Sequence, residues 1–254
     1  QPHHTNRRQR QMCIRDSNVA ITGGVTLGAA VTIDTAGTNS DGTITFNNGI
    51  DGAQDLDLVS DDAAIVITGA IGANTALGSL DINVATTQTG NITLTGNIGA
   101  TNAGVTGVTR IGNVNTADLN LNGTVYKTDG ATTFTAVSGG TIDLGGTSPT
   151  FTTSADAITF ATAGVAIGDG ALTVNSAGGA ISFTGNITGT NNDETVVLNT
   201  GSDATNTETV AVQAIGGGGK VKAVTITGAD GVTLNGNITT ADVADNNVDI
   251  TGAV

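Results

Sequence analysis

The residues of this chain that could perform chemistry begin with two pairs of aspartates. Asp55 lies two positions before Asp57, and Asp61 directly precedes Asp62. Two neighbouring carboxyl groups can act as a general acid and a general base, or bind a hard cation through their oxygens. Carboxylates on turns and on the outer side of strands are more commonly only solvated. We therefore expect neither pair to be catalytic.

A catalytic site also needs partners of other types, and the chain has few of them. Arg110 is the only arginine after residue 17, and Tyr126 is the only tyrosine. A polysaccharide-active β-helix enzyme remains the alternative function if these two residues share one groove with an aspartate cluster. No His or Cys follows Cys13, which excludes catalysis by those types from the rest of the chain. The sequence thus predicts no catalytic, cofactor-binding or metal-ligating residue, and no enzyme.

Calcium is the ligand that the aspartate-rich turns suit best, because Ca²⁺ prefers oxygen ligands. Tandem Gly-Gly-x-Gly-x-Asp repeats would make a strong calcium signature, and they do not occur. Gly168-Asp169-Gly170 is an isolated fragment of that pattern. We expect no cofactor, with loosely bound calcium as the alternative. The matching alternative function is a calcium-dependent surface-layer repeat.

Charge and hydropathy restrict the partners. The formal net charge is −14, and four of the eight basic residues lie in the first 17 positions. Proteins that bind nucleic acid need positive charge to neutralise phosphates, so we expect no nucleic-acid partner. No run of 18 or more apolar residues occurs, so we also expect no membrane-spanning segment.

The first seventeen residues differ in composition from everything that follows. The segment Met12–Ser17 resembles the translation of a transposon end used to prepare sequencing libraries. We therefore predict that residues 1–17 are non-native or disordered, and we exclude them from fold reasoning. Residues 18–254 are predicted to form one β-solenoid repeat region, a fragment of a longer chain.

The elements that must position any site are strands joined at glycine corners. The phrase apolar-x-apolar-x-Gly-x-Ile/Val occurs seven times, beginning at Val19, Ile65, Ile92, Leu119, Ile181, Val232 and Val248. Alternation with a period of two indicates a half-buried strand, and Gly permits the turn into the next strand. The final Ile or Val of the phrase is then the first inward residue of that next strand, for example Val125 in the phrase that begins at Leu119. Repetition on this scale indicates a stacked repeat architecture.

We predict an all-β fold, a right-handed parallel β-helix of about nine to twelve coils with roughly 20 to 27 residues per coil. The interval between phrases is irregular, which disfavours propellers and favours a solenoid whose corners accept insertions. The alternative is an array of antiparallel β-sandwich repeats, because Asp-Gly also marks hairpin turns. Asp-Gly occurs at 41–42, 51–52, 129–130, 169–170 and 230–231. We expect a loop at 216–219 and insertions at 191–194 and 202–207.

The alternation also predicts which side chains face the core. The inward residues are Ile92, Leu94, Ile98, Ile181, Phe183, Ile187, Val232, Leu234 and Ile238, and the outward ones include Thr93, Thr95, Ser182, Thr184, Thr233 and Asn235. Phe183→Asp should destabilise the fold strongly because it buries an unpaired charge, whereas Thr233→Ser should scarcely matter. Thr-x-Thr pairs also recur, beginning at Thr43, Thr93, Thr133, Thr150 and Thr225. Exposed strands favour threonine in general, so these pairs need no functional explanation.

Two stretches, residues 42–56 and 76–82, resemble the repeats of very large bacterial surface proteins of the filamentous haemagglutinin and autotransporter-passenger type. Residues 92–98, 181–187 and 232–238 extend the resemblance along the chain. It implies an exported β-helix, secreted or at the outer membrane surface of a Gram-negative bacterium, that acts as a stalk or adhesin. The implied partners are glycans or proteins of host or neighbouring cells and flanking repeats of the same chain. We therefore expect a structural or adhesive segment that presents a multivalent, polar, acidic surface.

Overall fold

The computed structural model describes residues 17–37, 40–201 and 208–252, and these residues form strands and no helix. The expectations for residues 1–16 and for the insertion at 202–207 lie outside the described residues. The β-branched and alternating segments of the sequence become short strands, mostly of two to five residues, separated by tight corners.

The described residues contain twenty-five strands. In the first half they are β1 (Val19–Ile21), β2 (Val25–Thr26), β3 (Val31–Asp34), β4 (Ile44–Phe46), β5 (Ile50–Asp51), β6 (Leu56–Val59), β7 (Ile65–Ile67), β8 (Leu80–Ile82), β9 (Ile92–Leu94), β10 (Thr109–Ile111), β11 (Asp118–Leu121) and β12 (Val125–Lys127). In the second half they are β13 (Thr132–Thr135), β14 (Thr141–Thr147), β15 (Thr150–Thr152), β16 (Ile158–Ala161), β17 (Gly164–Asp169), β18 (Ala171–Asn175), β19 (Ile181–Phe183), β20 (Ile187–Gly189), β21 (Thr195–Asn199), β22 (Thr209–Val212), β23 (Ala223–Thr227), β24 (Gly231–Leu234) and β25 (Val248–Thr251).

The strands stack into three long parallel sheets, and each turn of the chain adds a strand or a bridge to each sheet. Sheet A has the order β1-β4-β7-β9-β11-β14-β17-β20, and sheet C runs from β3 through β6, β8, β10, β13, β16, β19 and β22 to β24. Sheet B consists of two parts, β2-β5 and β12-β15-β18-β21-β23-β25. Isolated bridges at Ile71 and Ile98 join these two parts. The result is a parallel β-solenoid of about nine turns, which confirms the predicted fold and excludes the antiparallel sandwich.

The turns differ in length, and the repeated phrase does not always mark the same corner. Paired inward positions of sheet A are 21 to 28 residues apart, in the series Val19, Ile44, Ile65, Ile92, Leu119, Ile142, Val165, Ile187, Ile215 and Ile238. The phrases that begin at 19, 65, 92 and 119 turn from sheet A to sheet B. Those at 181 and 232 turn from sheet C to sheet A, and the one at 248 leaves sheet B. The irregular interval follows from this change of corner and from turns that lack the phrase, such as the turn that begins with β4.

Burial follows the predicted alternation, with one correction. Seven of the nine predicted inward residues are buried, and Leu234 and Ile238 are half-buried because they lie in the last turns. The phrase at 119 predicted Val125 as an inward residue, which is wrong: Tyr126 is buried instead and pairs with Ile98. Four residues separate Leu121 from Tyr126, one more than separate Leu94 from Ile98, and each additional residue reverses the side of a strand.

Five of the six aromatic side chains meet in the middle of the rod. Tyr126 stacks on Phe151 with ring centroids 4.5 Å apart, within sheet B. Phe134, Phe160 and Phe183 stack along sheet C, with centroid separations of 5.2 and 4.5 Å. Edge-to-face contacts join the two stacks, such as the 5.0 Å contact between Phe151 and Phe160. Such ring pairs add about 0.5–1.5 kcal/mol each beyond the area they bury.

At the corners between sheets A and B, the glycine of one turn packs against the backbone of the turn before it. A Cβ atom on Gly96 would lie 2.2 Å from the carbonyl oxygen of Gly69, and one on Gly123 would lie 2.7 Å from that of Gly96. Gly146 repeats the contact on Gly123, at 2.3 Å. These residues form a glycine column that lets successive turns approach closely. Gly23, at the same corner of the first turn, would meet nothing within 4 Å.

Two asparagines at the corners, Asn97 and Asn186, bind the next turn rather than their own backbone. The side-chain oxygen of Asn97 accepts hydrogen bonds from the N–H groups of Thr124 (2.8 Å) and Val125 (3.1 Å). Asn186 accepts one from Ala214 in the same way, at 3.2 Å. In the Gly-Asn dipeptides at 96–97 and 185–186, the asparagine side chain thus joins two successive turns.

The Asp-Gly dipeptides do not share one backbone conformation. Gly52, Gly170 and Gly231 have positive φ, as expected of turns that need glycine, but Gly42 and Gly130 do not. The four glycines at 216–219 form the predicted loop, a bend between Ile215 and β23.

Candidate functional site

Asp57 lies in an acidic row on the outer side of sheet C. Asp57, Asp81 and Arg110 occupy paired positions on the successive strands β6, β8 and β10. Arg110 donates from Nε to Asp81 Oδ1 at 2.8 Å and from Nη2 to Asp81 Oδ2 at 2.5 Å. Burial and the charges of Asp81 and Asp34 raise the pKa of Asp57, and Arg110 opposes them. Two of the guanidinium nitrogens are therefore used within the row.

A surface cavity of about 300 Å³ lies beside Arg110. Its lining is Val84, Thr86, Arg110, Gly112, Asn113, Val114, Thr133 and Thr135. The Asn113 amide nitrogen donates to the carbonyl oxygens of Asn83 (2.7 Å) and Gln88 (2.8 Å), so it holds the neighbouring loop. The cavity combines one salt-bridged arginine with hydroxyl and apolar groups.

Tyr126 does not take part in that cavity. Its ring is buried in the aromatic stack, and its hydroxyl oxygen accepts a hydrogen bond from the Gly123 N–H at 2.9 Å. Burial raises the pKa of this hydroxyl, and the bond from Gly123 opposes the rise. Arg110 and Tyr126 therefore do not share a groove, so these two residues do not form the arrangement named above for the polysaccharide-active alternative.

The second aspartate pair belongs to an acidic corner formed by Asp34, Asp41, Asp61 and Asp62. Burial raises the pKa of Asp61, and Asp41, Asp62 and Asp34 add to the rise. The Asp62 N–H donates to Asp41 Oδ2 at 3.3 Å, and Thr89 Oγ1 donates to Asp62 Oδ1 at 2.6 Å. Among the described residues no three His, Cys, Asp or Glu side chains come together as a metal-binding group.

The remaining predicted candidates lie apart. Asp55 is exposed just before β6, and Asp169 of the isolated Gly168-Asp169-Gly170 fragment is exposed at the end of β17. The Thr-x-Thr pairs are divided among the three sheets: the pairs at 43 and 93 lie in or beside strands of sheet A, the pair at 133 lies in sheet C, and those at 150 and 225 lie in sheet B. No single face therefore carries a threonine array.

Sequence reasoning missed Glu194, a buried carboxylate in the corner between β20 and β21. Its Oε1 accepts hydrogen bonds from the N–H of Thr190 (2.7 Å), the N–H of Asn191 (2.5 Å) and Thr190 Oγ1 (3.0 Å). Burial would raise its pKa, but these bonds outweigh burial and the pKa is lowered. The sequence feature that could have pointed to Glu194 is the rarity of glutamate, since the chain has only two, Glu194 and Glu208. The Glu194 side chain therefore holds the backbone at Thr190 and Asn191, at the start of the predicted insertion at 191–194.

No helix long and apolar enough to cross a membrane occurs in the part of the chain that the structure describes.

No protein-family model, no curated protein and no solved structure matches this chain.

Proposed function

We propose that this chain is a structural or adhesive rod segment of a bacterial cell surface, with no catalytic site. The observation that carries the proposal is the continuity of the three parallel sheets along the rod. Each turn is hydrogen-bonded to the turns before and after it, so tension along the rod is resisted by many backbone bonds at once. With strands spaced about 4.8 Å apart, nine turns extend on the order of 45 Å.

The outer surface supports multivalent contact. Its side chains are mostly Thr, Asn, Asp and Ser, and the net charge of −14 keeps the rod soluble. Repeated polar rows, such as Thr152, Asn175, Asn199 and Thr227 on sheet B, offer many similar weak contacts. Glycans or proteins of other cells are the partners that suit such a surface. The resemblance to large surface repeats supports secretion to the outer surface of a Gram-negative bacterium, with flanking repeats as neighbours.

The binding of beads that carry the chain at different coating densities tests the proposal. Beads coated densely with the chain should bind cells or immobilised glycans, and beads coated sparsely should not, because each single contact is weak. Pulling a chain held at both ends should release the rod turn by turn, because each turn contacts only its neighbours. Both results support the proposal. Release of sugar from a polysaccharide by the dilute chain would overturn it.

A calcium-dependent repeat is the second candidate, and the acidic corner favours it. Burial raises the pKa of Asp61, and repulsion from Asp41, Asp62 and Asp34 adds to the rise. A divalent cation would relieve that repulsion. If calcium binds there, adding Ca²⁺ should raise the melting temperature and chelation should reverse the rise. Asp61→Asn should abolish the response, and the exposed Asp156→Asn should retain it as a matched control. A response that is equal in both variants would indicate only general charge screening.

A further inference from the structure

The cavity beside Arg110 lies where the corners between sheets C and A become shorter along the rod. The corner after β8 has nine residues (83–91), the one after β10 has six (112–117), the one after β13 has five (136–140) and the one after β16 has two (162–163). Residues of the two longest corners form the walls of the cavity, and outward residues of β10 and β13 form its floor. The cavity is thus a step in the surface that the change of corner length creates.

Hydrogen bonds between the two longest corners hold the walls in place. The Asn113 side-chain nitrogen of one corner donates to the carbonyl oxygens of Asn83 and Gln88 in the other, at 2.7 and 2.8 Å. The Asn115 side-chain nitrogen donates to the Thr86 carbonyl oxygen. The walls therefore keep their spacing without a ligand, and a site that is already formed loses less conformational entropy when it binds.

Three polar groups of the cavity have no protein partner. The hydroxyl groups of Thr133 and Thr135 form no hydrogen bond with any described residue. Arg110 uses Nε and Nη2 for Asp81, and its Nη1 likewise bonds no described residue. Thr135 faces outward but is only 9% exposed, because the corner at Gly112 packs against it. These three groups are the donors and acceptors that a ligand in the cavity can use.

Val84 and Val114 give the cavity an apolar side. Val114 is 46% exposed and Val84 is half-buried. The lining contains no aromatic ring, so a sugar cannot bind here by stacking its ring on an aromatic side chain. Two branched side chains in a small cavity suit a methyl group of a ligand, which fills the space between polar contacts.

The charge around the cavity favours a neutral ligand. Arg110 is paired with Asp81, and Asp57 occupies the next paired position, so these three residues carry a formal net charge of +1 − 2 = −1. The whole chain, with a net charge of −14, also repels anions. An anionic ligand would have to compete with Asp81 for the guanidinium group, and a cationic one would meet the positive charge of Arg110.

We propose that the cavity binds the acetamido group of a neutral N-acetylhexosamine unit in a cell-surface glycan. The acetyl methyl group packs against Val84 and Val114, the amide carbonyl oxygen accepts from Arg110 Nη1, and sugar hydroxyls bond Thr133 and Thr135. The cavity volume of about 300 Å³ is at the lower end of ligand sites, roughly 300–1,000 Å³, which suits a single sugar unit. The inference rests on the proposed adhesive function and names the class of glycan.

Saturation-transfer NMR of the full chain with free sugars tests the ligand class. N-acetylglucosamine or N-acetylgalactosamine should bind with a Kd on the order of 1 mM, because the contacts are few and open to water. The acetyl methyl should receive the strongest transfer, and added salt should leave the affinity unchanged. Glucose and galactose lack the acetamido group and should show no transfer.

Glucuronate is the charged probe in the same experiment, and it should not bind. Equal transfer to the acetamido sugars and to glucose and galactose would overturn the proposal, as would no transfer to either acetamido sugar. Tighter binding of glucuronate that weakens as salt is added would show that the cavity selects an anion instead.

Matched variants test the location. Thr133→Val removes one hydroxyl at nearly constant volume and should weaken N-acetylhexosamine binding about fivefold. Thr159→Val makes the same change at the directly paired position of β16, outside the lining, and should leave binding unchanged. Val114→Ala should also weaken binding about fivefold, whereas Val108→Ala, at an equal exposed fraction of 46%, should not. Control variants that weaken binding as much as the cavity variants would refute this location.

Bead attachment separates failure of this inference from failure of the proposed function. Beads densely coated with the parent should attach to surfaces that carry N-acetylhexosamine, and beads with the double variant Thr133→Val and Val114→Ala should attach less, with unchanged circular dichroism. Equal attachment of both would overturn the cavity as the site and leave the adhesive rod standing. Parent beads that attach to no cell and no glycan would contradict the adhesive function itself.

Discussion

Asn97 shows how one side chain can bond two turns of the solenoid together. Replacing it with Ala leaves the Thr124 and Val125 N–H groups without the oxygen that accepts from them. By analogy with helix-capping residues, Asn97→Ala should cost about 1–2 kcal/mol of unfolding free energy. Asn97→Asp keeps an acceptor oxygen and should cost less. Urea unfolding of both variants measures the difference, and equal losses would contradict the role of the oxygen.

Glu194 should make the stability depend on acid pH. Its pKa is lowered in the folded chain, from an ordinary value of 4.5. A lowered folded-state pKa stabilises the native state above the unfolded pKa, and this stabilisation is lost as the pH falls through the folded pKa. The unfolding free energy of the parent relative to Glu194→Gln should therefore fall as the pH is lowered from about 5.

The amide of Glu194→Gln can still accept the bonds from Thr190 and Asn191, so the variant should fold and serve as its own control. Denaturant unfolding of both proteins at pH 7, 5, 4 and 3 gives the comparison. A difference that stays constant over this range would show that the Glu194 carboxylate does not carry the effect.

At the residue scale, side-chain direction could be predicted wherever the corner length was regular. Leu94 and Phe183 face the core as the alternation indicates, whereas Val125 does not, because a single additional corner residue reverses the strand. Nothing local to the sequence signals such a one-residue change. Glu194 was missed for a different reason: its bonds form only when the corner closes around it.

At the scale of the strands, the aromatic stack should stabilise the central turns by more than the burial of its apolar area alone would. Phe160 contacts the rings of Phe134, Phe151 and Phe183, whereas Phe46 is equally buried and has no ring contact among the described residues. Phe160→Leu should therefore cost about 1 kcal/mol more unfolding free energy than Phe46→Leu. Equal losses in thermal or urea unfolding would mean that ring contacts add nothing to burial.

The strands could be predicted from the sequence more readily than their arrangement in three sheets. Alternation of apolar and polar residues indicates a strand in any of the three sheets, because the strands of sheets A, B and C all bury one side against the same core. The same phrase therefore occurs at all three corners, at Ile92, Ile181 and Val248 for example. Assignment to a sheet depends on which turn lies above and below, and that is a long-range property of the stack.

At the scale of the whole molecule, stability should vary along the rod. Each turn packs only against its neighbours, so the end turns have one stabilising interface and the inner turns have two. The half-buried residues Ile33 and Ile250 mark the ends, and the aromatic stack lies in the middle. Amide hydrogen exchange should therefore be slowest around residues 118–183 and fastest in β1, β2 and β25.

The Phe160 amide, in the middle of the rod, should exchange more slowly than the amides of β1. Uniform protection along the rod would contradict turn-by-turn stability.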